Sequence, residues 1–97
     1  MHSKAGTAAG FLKQLANENR LVILCELVQG ERSVGELEAV VGLSQSALSQ
    51  HLAKLRAARL VETRRESQTI YYSLADPGVN KIIGALYELY CRPARRR

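Results

Sequence analysis

Within residues 44–57 the sequence places Gln45, Ser46, Ser49 and Gln50 on one short stretch. Glutamine can offer a paired donor and acceptor to an adenine edge, and serine can pair with several bases. Set near the start of a helix, such side chains suit a nucleic-acid groove, and the helix N-terminus itself favours phosphate. The same residues also suit an ordinary solvated face, so the surrounding elements must decide. Arg56 and Arg59 follow, then Arg64, Arg65 and Gln68. These are groups able to meet phosphate or the minor groove. His51 falls beside the leucine stripe of the same stretch and reads as a packed, hydrogen-bonded histidine rather than a base reader or metal ligand.

A second chemistry rests on sulfur. The two cysteines, Cys25 and Cys91, lie 66 positions apart and belong to no CxxC or Cys/His cluster. A structural disulfide is not expected in a reducing cytosol. Two buried thiols or one switchable pair are both open readings. No carboxylate pair, activated nucleophile or glycine-rich phosphate loop is present, which argues against an enzyme.

The elements that must position these residues can be read from caps and periodicity. Residues about 5–16 form a helix with Ala8, Phe11, Leu12 and Leu15 on one side. Asn17 caps a second helix, Glu18 to Gln29, stopped at Gly30. Its centre, Leu21 to Cys25, is apolar nearly all round, as for a helix in mid-core. Ser33 and Glu36 form a capping box opening a helix with Val34, Leu37, Val40 and Val41, which ends at Gly42. Ser44 caps the next helix, to about Ala58, with Leu48, Leu52 and Leu55 as its buried stripe. Leu60 to Arg65 and Thr69 to Leu74 read as a hairpin joined by residues 66–68, with Ile70, Tyr72 and Leu74 on one face. Asp76 and Pro77 open the last helix, which carries Val79, Ile82, Ile83, Leu86, Tyr87 and Tyr90.

The order is ααααββα: mainly α with a small β-hairpin. The short connection at Gly42 and Leu43 forces a sharp turn between two helices, as in a helix-turn-helix. A basic hairpin directly after the second of them is a wing. The ordered combination, a winged helix-turn-helix, is specific where each part alone is not. The 97 residues make one domain (1–97), with a basic tail at about 92–97 expected to fray.

Charge agrees with this division. Residues 1–43 carry four Lys/Arg against five Glu, and residues 44–97 carry ten Lys/Arg against four Asp/Glu. A basic half on a near-neutral half suits a polyanion such as double-stranded DNA. No run is long enough to span a membrane, and the N-terminus lacks the apolar core of a secretory signal. The expectation is a cytoplasmic protein without membrane contact.

The runs Ser44 to Arg56 (SQSALSQHLAKLR), Leu60 to Arg64 (LVETR) and Tyr71 to Leu74 (YYSL) resemble the ArsR/SmtB repressors over nearly the whole chain. The resemblance implies a homodimer joined mainly through the first and last helices. It also implies two recognition helices reading successive major grooves of an imperfect palindrome, with ligand binding releasing DNA. Gln45, Ser46, Ser49 and Gln50 are then the base-reading candidates. Arg56, Arg64, Arg65 and Gln68 are the wing and backbone candidates.

Many such repressors sense metals. One common site places cysteines at the start of the helix before the recognition helix, but residues 31–37 (ERSVGEL) contain none. The other uses Asp and His on the last helix, but residues 77–91 contain neither, and Glu88 is their only carboxylate. No metal or cofactor is therefore expected. The surroundings of Cys25 (LCELV) and Cys91 (ALYELYC) look like the redox and persulfide-sensing branch of the family. A bond or polysulfide bridge between them would tie the second helix to the last. In the chain-entropy model a loop of this size is worth about 4 kcal/mol, against ~1–3 kcal/mol for typical coupling between sites. Formation needs close thiols, one of them partly ionised, and the sequence shows neither condition. The alternatives are a soft-metal sensor using the two thiols, and a constitutive DNA-binding regulator or antirepressor that senses nothing.

Overall fold

The computed structural model describes residues 2–91, with side chains over residues 4–90. Helices α1 (His2–Leu15) and α2 (Glu18–Val28) are followed by a two-residue strand β1 (Arg32–Ser33), then α3 (Val34–Val41) and α4 (Gln45–Ala57). The hairpin β2 (Val61–Glu66) and β3 (Thr69–Leu74) leads to α5 (Pro77–Leu86), which runs on into a π-helical turn, Tyr87–Cys91.

Each expected cap is formed. The side chain of Asn17 accepts from the Arg20 N–H at 3.0 Å, Ser44 from Ala47 at 3.2 Å, and Asp76 from Val79 at 2.9 Å. Ser33 accepts from the Glu36 N–H at 3.1 Å while the Glu36 carboxylate accepts from the Ser33 N–H at 2.8 Å. Two donors left over by the helix start are thereby satisfied reciprocally. Gly42 ends α3 with φ 72°, in the left-handed region that glycine enters without steric cost. The end of α4 makes the same kind of turn with Arg59 at φ 64°. There the Leu60 N–H bonds to the Leu55 carbonyl at 2.9 Å, and Arg59 N–H to Arg56 at 3.0 Å, a Schellman closure. Leu60 therefore belongs to the helix end, and β2 begins one residue later than its sequence suggests.

The sheet has the order β1-β3-β2, all antiparallel. The sequence reading omitted β1, which adds Arg32 opposite Tyr72 and Ser33 opposite Tyr71. In the hairpin, Glu66 faces Thr69, so Ser67 and Gln68 form a two-residue turn, with Ser67 at φ 57°.

Leu48, Leu52 and Leu55 of α4 are buried, as the stripe implies, against Ile23, Leu24 and Leu27 of α2, Leu37 of α3 and Ile83 of α5. Helix α2 is less enclosed than its composition suggests: Ile23, Leu24, Cys25 and Leu27 face inward, but Val22 faces out. Leu12, Ile82, Leu89 and Tyr90 are exposed too. His51 is half-buried, but its Nδ1 is enclosed with no hydrogen-bond partner. Packing of this side chain agrees with the sequence expectation, while the expected hydrogen bond is not made by Nδ1. Among the described residues, no helix is long and apolar enough to cross a membrane.

Candidate functional site

Gln45, Ser46, Ser49 and Gln50 are all exposed on the first two turns of α4. Their placement follows from the leucine stripe: burying Leu48, Leu52 and Leu55 turns the polar positions outward. Gln45 and Ser49 share a groove of about 580 Å³ with Gln68, Thr69, Ile70 and Tyr72 of the wing and with Ser33, Val34 and Gly35 at the start of α3. The start of the recognition helix and the wing tip thus border one concavity. Ser46 and Gln50 occupy the adjacent row, one residue round the helix, outside that groove. Arg56 lines a second groove with Ser49 and Tyr72, and a third with Arg59 and Glu62.

The two wing arginines differ. Arg65 is exposed and makes no ion pair among the described residues. Arg64 is held: its Nε and Nη2 donate to the Glu31 carboxylate at 3.0 and 2.8 Å, and its Nη1 donates to Glu66 at 3.0 Å. Its guanidinium carbon stands 4.6 Å from the Tyr71 ring centroid, a cation–π contact. Hydrogen bonding to Arg64 lowers the Glu31 carboxyl below its ordinary range, and the Glu31 and Glu66 hydrogen bonds raise the Arg64 guanidinium. Sequence reasoning missed Glu31 altogether. One signal was available: neighbouring strand residues point to opposite faces, so Arg64 and Arg65 could not both share the face of the recognition helix.

The sulfur site lies on the other side of the core. Cys25 is buried and disulfide-bonded, and the only other cysteine in the sequence is Cys91. The backbone of Cys91 closes the π-helical turn, and its side chain lies outside the described residues. A pocket of about 290 Å³ opens beside Cys25, lined by Val22, Glu26, Gln29, Tyr87 and Tyr90. Glu26 also pairs with Arg32 of β1 at 3.1 Å. Among the described residues, no group of three or more His, Cys, Asp or Glu is placed to hold a metal ion. The basic tail, residues 92–97, lies outside the described residues.

The model of the family "bacterial regulatory protein, arsR family" matches residues 17–63. The nodulation protein NolR of Rhizobium meliloti is 60% identical over 89 residues, covering 92% of this chain and 73% of that protein. The transcriptional activator HlyU of Vibrio cholerae is 51% identical, covering 95% of this chain and 85% of that protein. A solved structure of it superposes with a TM-score of 0.89, over 95% of this chain and 100% of the other. The transcriptional repressor BigR from Xylella fastidiosa superposes with a TM-score of 0.90 at 40% identity, over 100% of this chain and 96% of that one. The superposed structures share the winged helix-turn-helix fold, and the relatives named here are transcriptional regulators or a nodulation protein, not enzymes. The chain is a DNA-binding transcriptional regulator belonging to the arsR family.

Proposed function

We propose that this regulator is a cytoplasmic homodimer whose affinity for an imperfect palindrome in double-stranded DNA is set by oxidation or persulfidation of Cys25 and Cys91. The observation that carries the thiol part is the disulfide at Cys25, in a chain whose only other cysteine is Cys91. Helix α2 packs against both α5 and the π-helical turn, so a bridge between them crosses from the core to the last element. A relative at 51% identity has a solved structure described as its reduced form, which agrees with two redox states in a chain of this kind.

The chemistry balances with an external sulfur donor. A persulfide transfers its outer sulfur to one thiolate and leaves as a thiol. The second thiolate attacks the resulting protein persulfide at its inner sulfur, expels hydrosulfide and closes the disulfide. Reaction at a buried sulfur needs a path from solvent, and in the isolated protomer a pocket opens beside Cys25.

The dimer reading is supported by Leu12, Val22, Ile82, Leu89 and Tyr90, exposed on α1, α2, α5 and the final turn. Large apolar side chains left in water on neighbouring elements suit a protein partner, and a symmetric partner is the commonest kind. A two-fold pair presents two α4 helices to successive major grooves about 34 Å apart. Gln45, Ser46, Ser49 and Gln50 read bases, while Arg56, Arg65 and Gln68 meet the backbone or minor groove.

A Cys25→Ser variant tests the switch. It is expected to bind operator DNA as the reduced protein does and to ignore a polysulfide donor. A full response to the donor in that variant overturns the dithiol mechanism.

A further inference from the structure

Arg64 and Arg65 are neighbours on β2, and strand geometry sends them to opposite faces of the sheet. The register settles which face each takes. Arg65 lies opposite Ile70, and two residues away Thr63 lies opposite Tyr72. Ile70 and Tyr72 line the groove shared with Gln45 and Ser49 of α4. Arg64 lies opposite Tyr71, on the other face. There it donates to both oxygens of Glu31 and to one of Glu66. One guanidinium against two carboxylates leaves the cluster net negative, with no positive charge to offer a phosphate. The fork geometry of a two-point arginine–carboxylate pair fixes orientation as well as contact. Glu31 immediately precedes the edge strand β1 while Arg64 sits on the opposite edge strand β2. The pair therefore spans the central strand β3 and joins the two edges.

We propose that Glu31 is a positioning residue of the DNA interface: its carboxylate locks Arg64 over Tyr71, which sets the wing's angle and leaves Arg65 to meet phosphate. The proposal rests on the reading of the hairpin as a DNA-contacting wing. An exposed ion pair contributes little to global stability, so its loss changes where the wing points and not whether the chain folds.

The test is operator binding by fluorescence anisotropy across a salt series, with thermal unfolding checked for every variant. Arg65→Ala is expected to flatten the plot of log affinity against log salt by about one unit, the signature of a lost phosphate contact. Glu31→Gln and Arg64→Ala are expected to keep the wild-type slope and to lose affinity by roughly fivefold each. The double variant is expected to be no weaker than either single, because Glu31 acts through Arg64. Three results overturn the proposal: Arg64→Ala flattening the slope as Arg65→Ala does, Glu31→Gln raising affinity as simple removal of a negative charge near DNA would, or additive losses in the double variant. If Arg65→Ala changes neither slope nor affinity, the wing reading itself fails and takes the proposal with it. That outcome is distinct from the other three.

Discussion

On the α4 and wing side, the exposed candidates Gln45, Ser46, Ser49, Gln50, Arg56, Arg65 and Gln68 are all polar or basic. On the side of α1, α2, α5 and the π-helical turn, the exposed residues include Leu12, Val22, Ile82, Leu89 and Tyr90. Covering apolar surface gains about 25 cal/mol per Å², so the second side gains by meeting protein. The first side gains by meeting a polyanion, through charge and hydrogen bonds. One core lies between them, with α2 packed on α5 behind it and on α4 and β3 in front. The contrast is that a single buried layer carries a polar, basic face on one side and an apolar one on the other.

The largest expected effect comes from breaking that shared layer. Leu48 is fully buried, and Leu48→Ala is expected to cost ~2–5 kcal/mol in urea unfolding, with DNA binding and assembly both impaired. Separating the two faces needs a surface change. Ile82→Asp is expected to yield a folded monomer by sedimentation, with operator affinity down about 100-fold because the second half-site is no longer tethered. A dimer of unchanged affinity would break the comparison.

On the polar face, Gln50→Ala is expected to reduce the preference for operator over mismatched DNA about tenfold, a loss within the range for a base contact. Non-specific binding should be unchanged, and full operator preference would remove Gln50 from the base readers. Ser44→Ala deletes the cap that fixes the start of the recognition helix, and is expected to cost about 1 kcal/mol in thermal or urea unfolding.

The smallest effect is in acid. Glu31 has a folded value below its ordinary 4.5, so its contribution is fully present above that ordinary value. The contribution is lost as pH falls through the lowered folded value. Unfolding curves of wild type and Glu31→Gln should therefore differ slightly near neutrality and converge in acid. A difference that grows with acidity would contradict the pairing.

The fold was largely legible because its signals are local. Asn17, Ser33 with Glu36, Ser44 and Asp76 each announce a helix start within three or four residues, and each cap is formed. The leucines of α4 gave away the buried side, and hence the polar one. What escaped depends on distant chain. Strand β1 is two residues long, too short to show alternation, and exists through its pairing with β3. Glu31 meets Arg64 across 33 positions, and no spacing rule links them. The widening of the last helix into a π-helical turn at Tyr87 likewise leaves no periodic trace over five residues. For the sulfur site, the sequence offered two cysteines and no distance between them.

The most direct measurement is fluorescence anisotropy of the protein's own promoter DNA at fixed salt, comparing reduced with polysulfide-treated protein. Binding is expected to weaken after treatment and to be restored by a reductant. Equal, tight binding in both states would contradict the thiol switch while leaving the DNA-binding face intact.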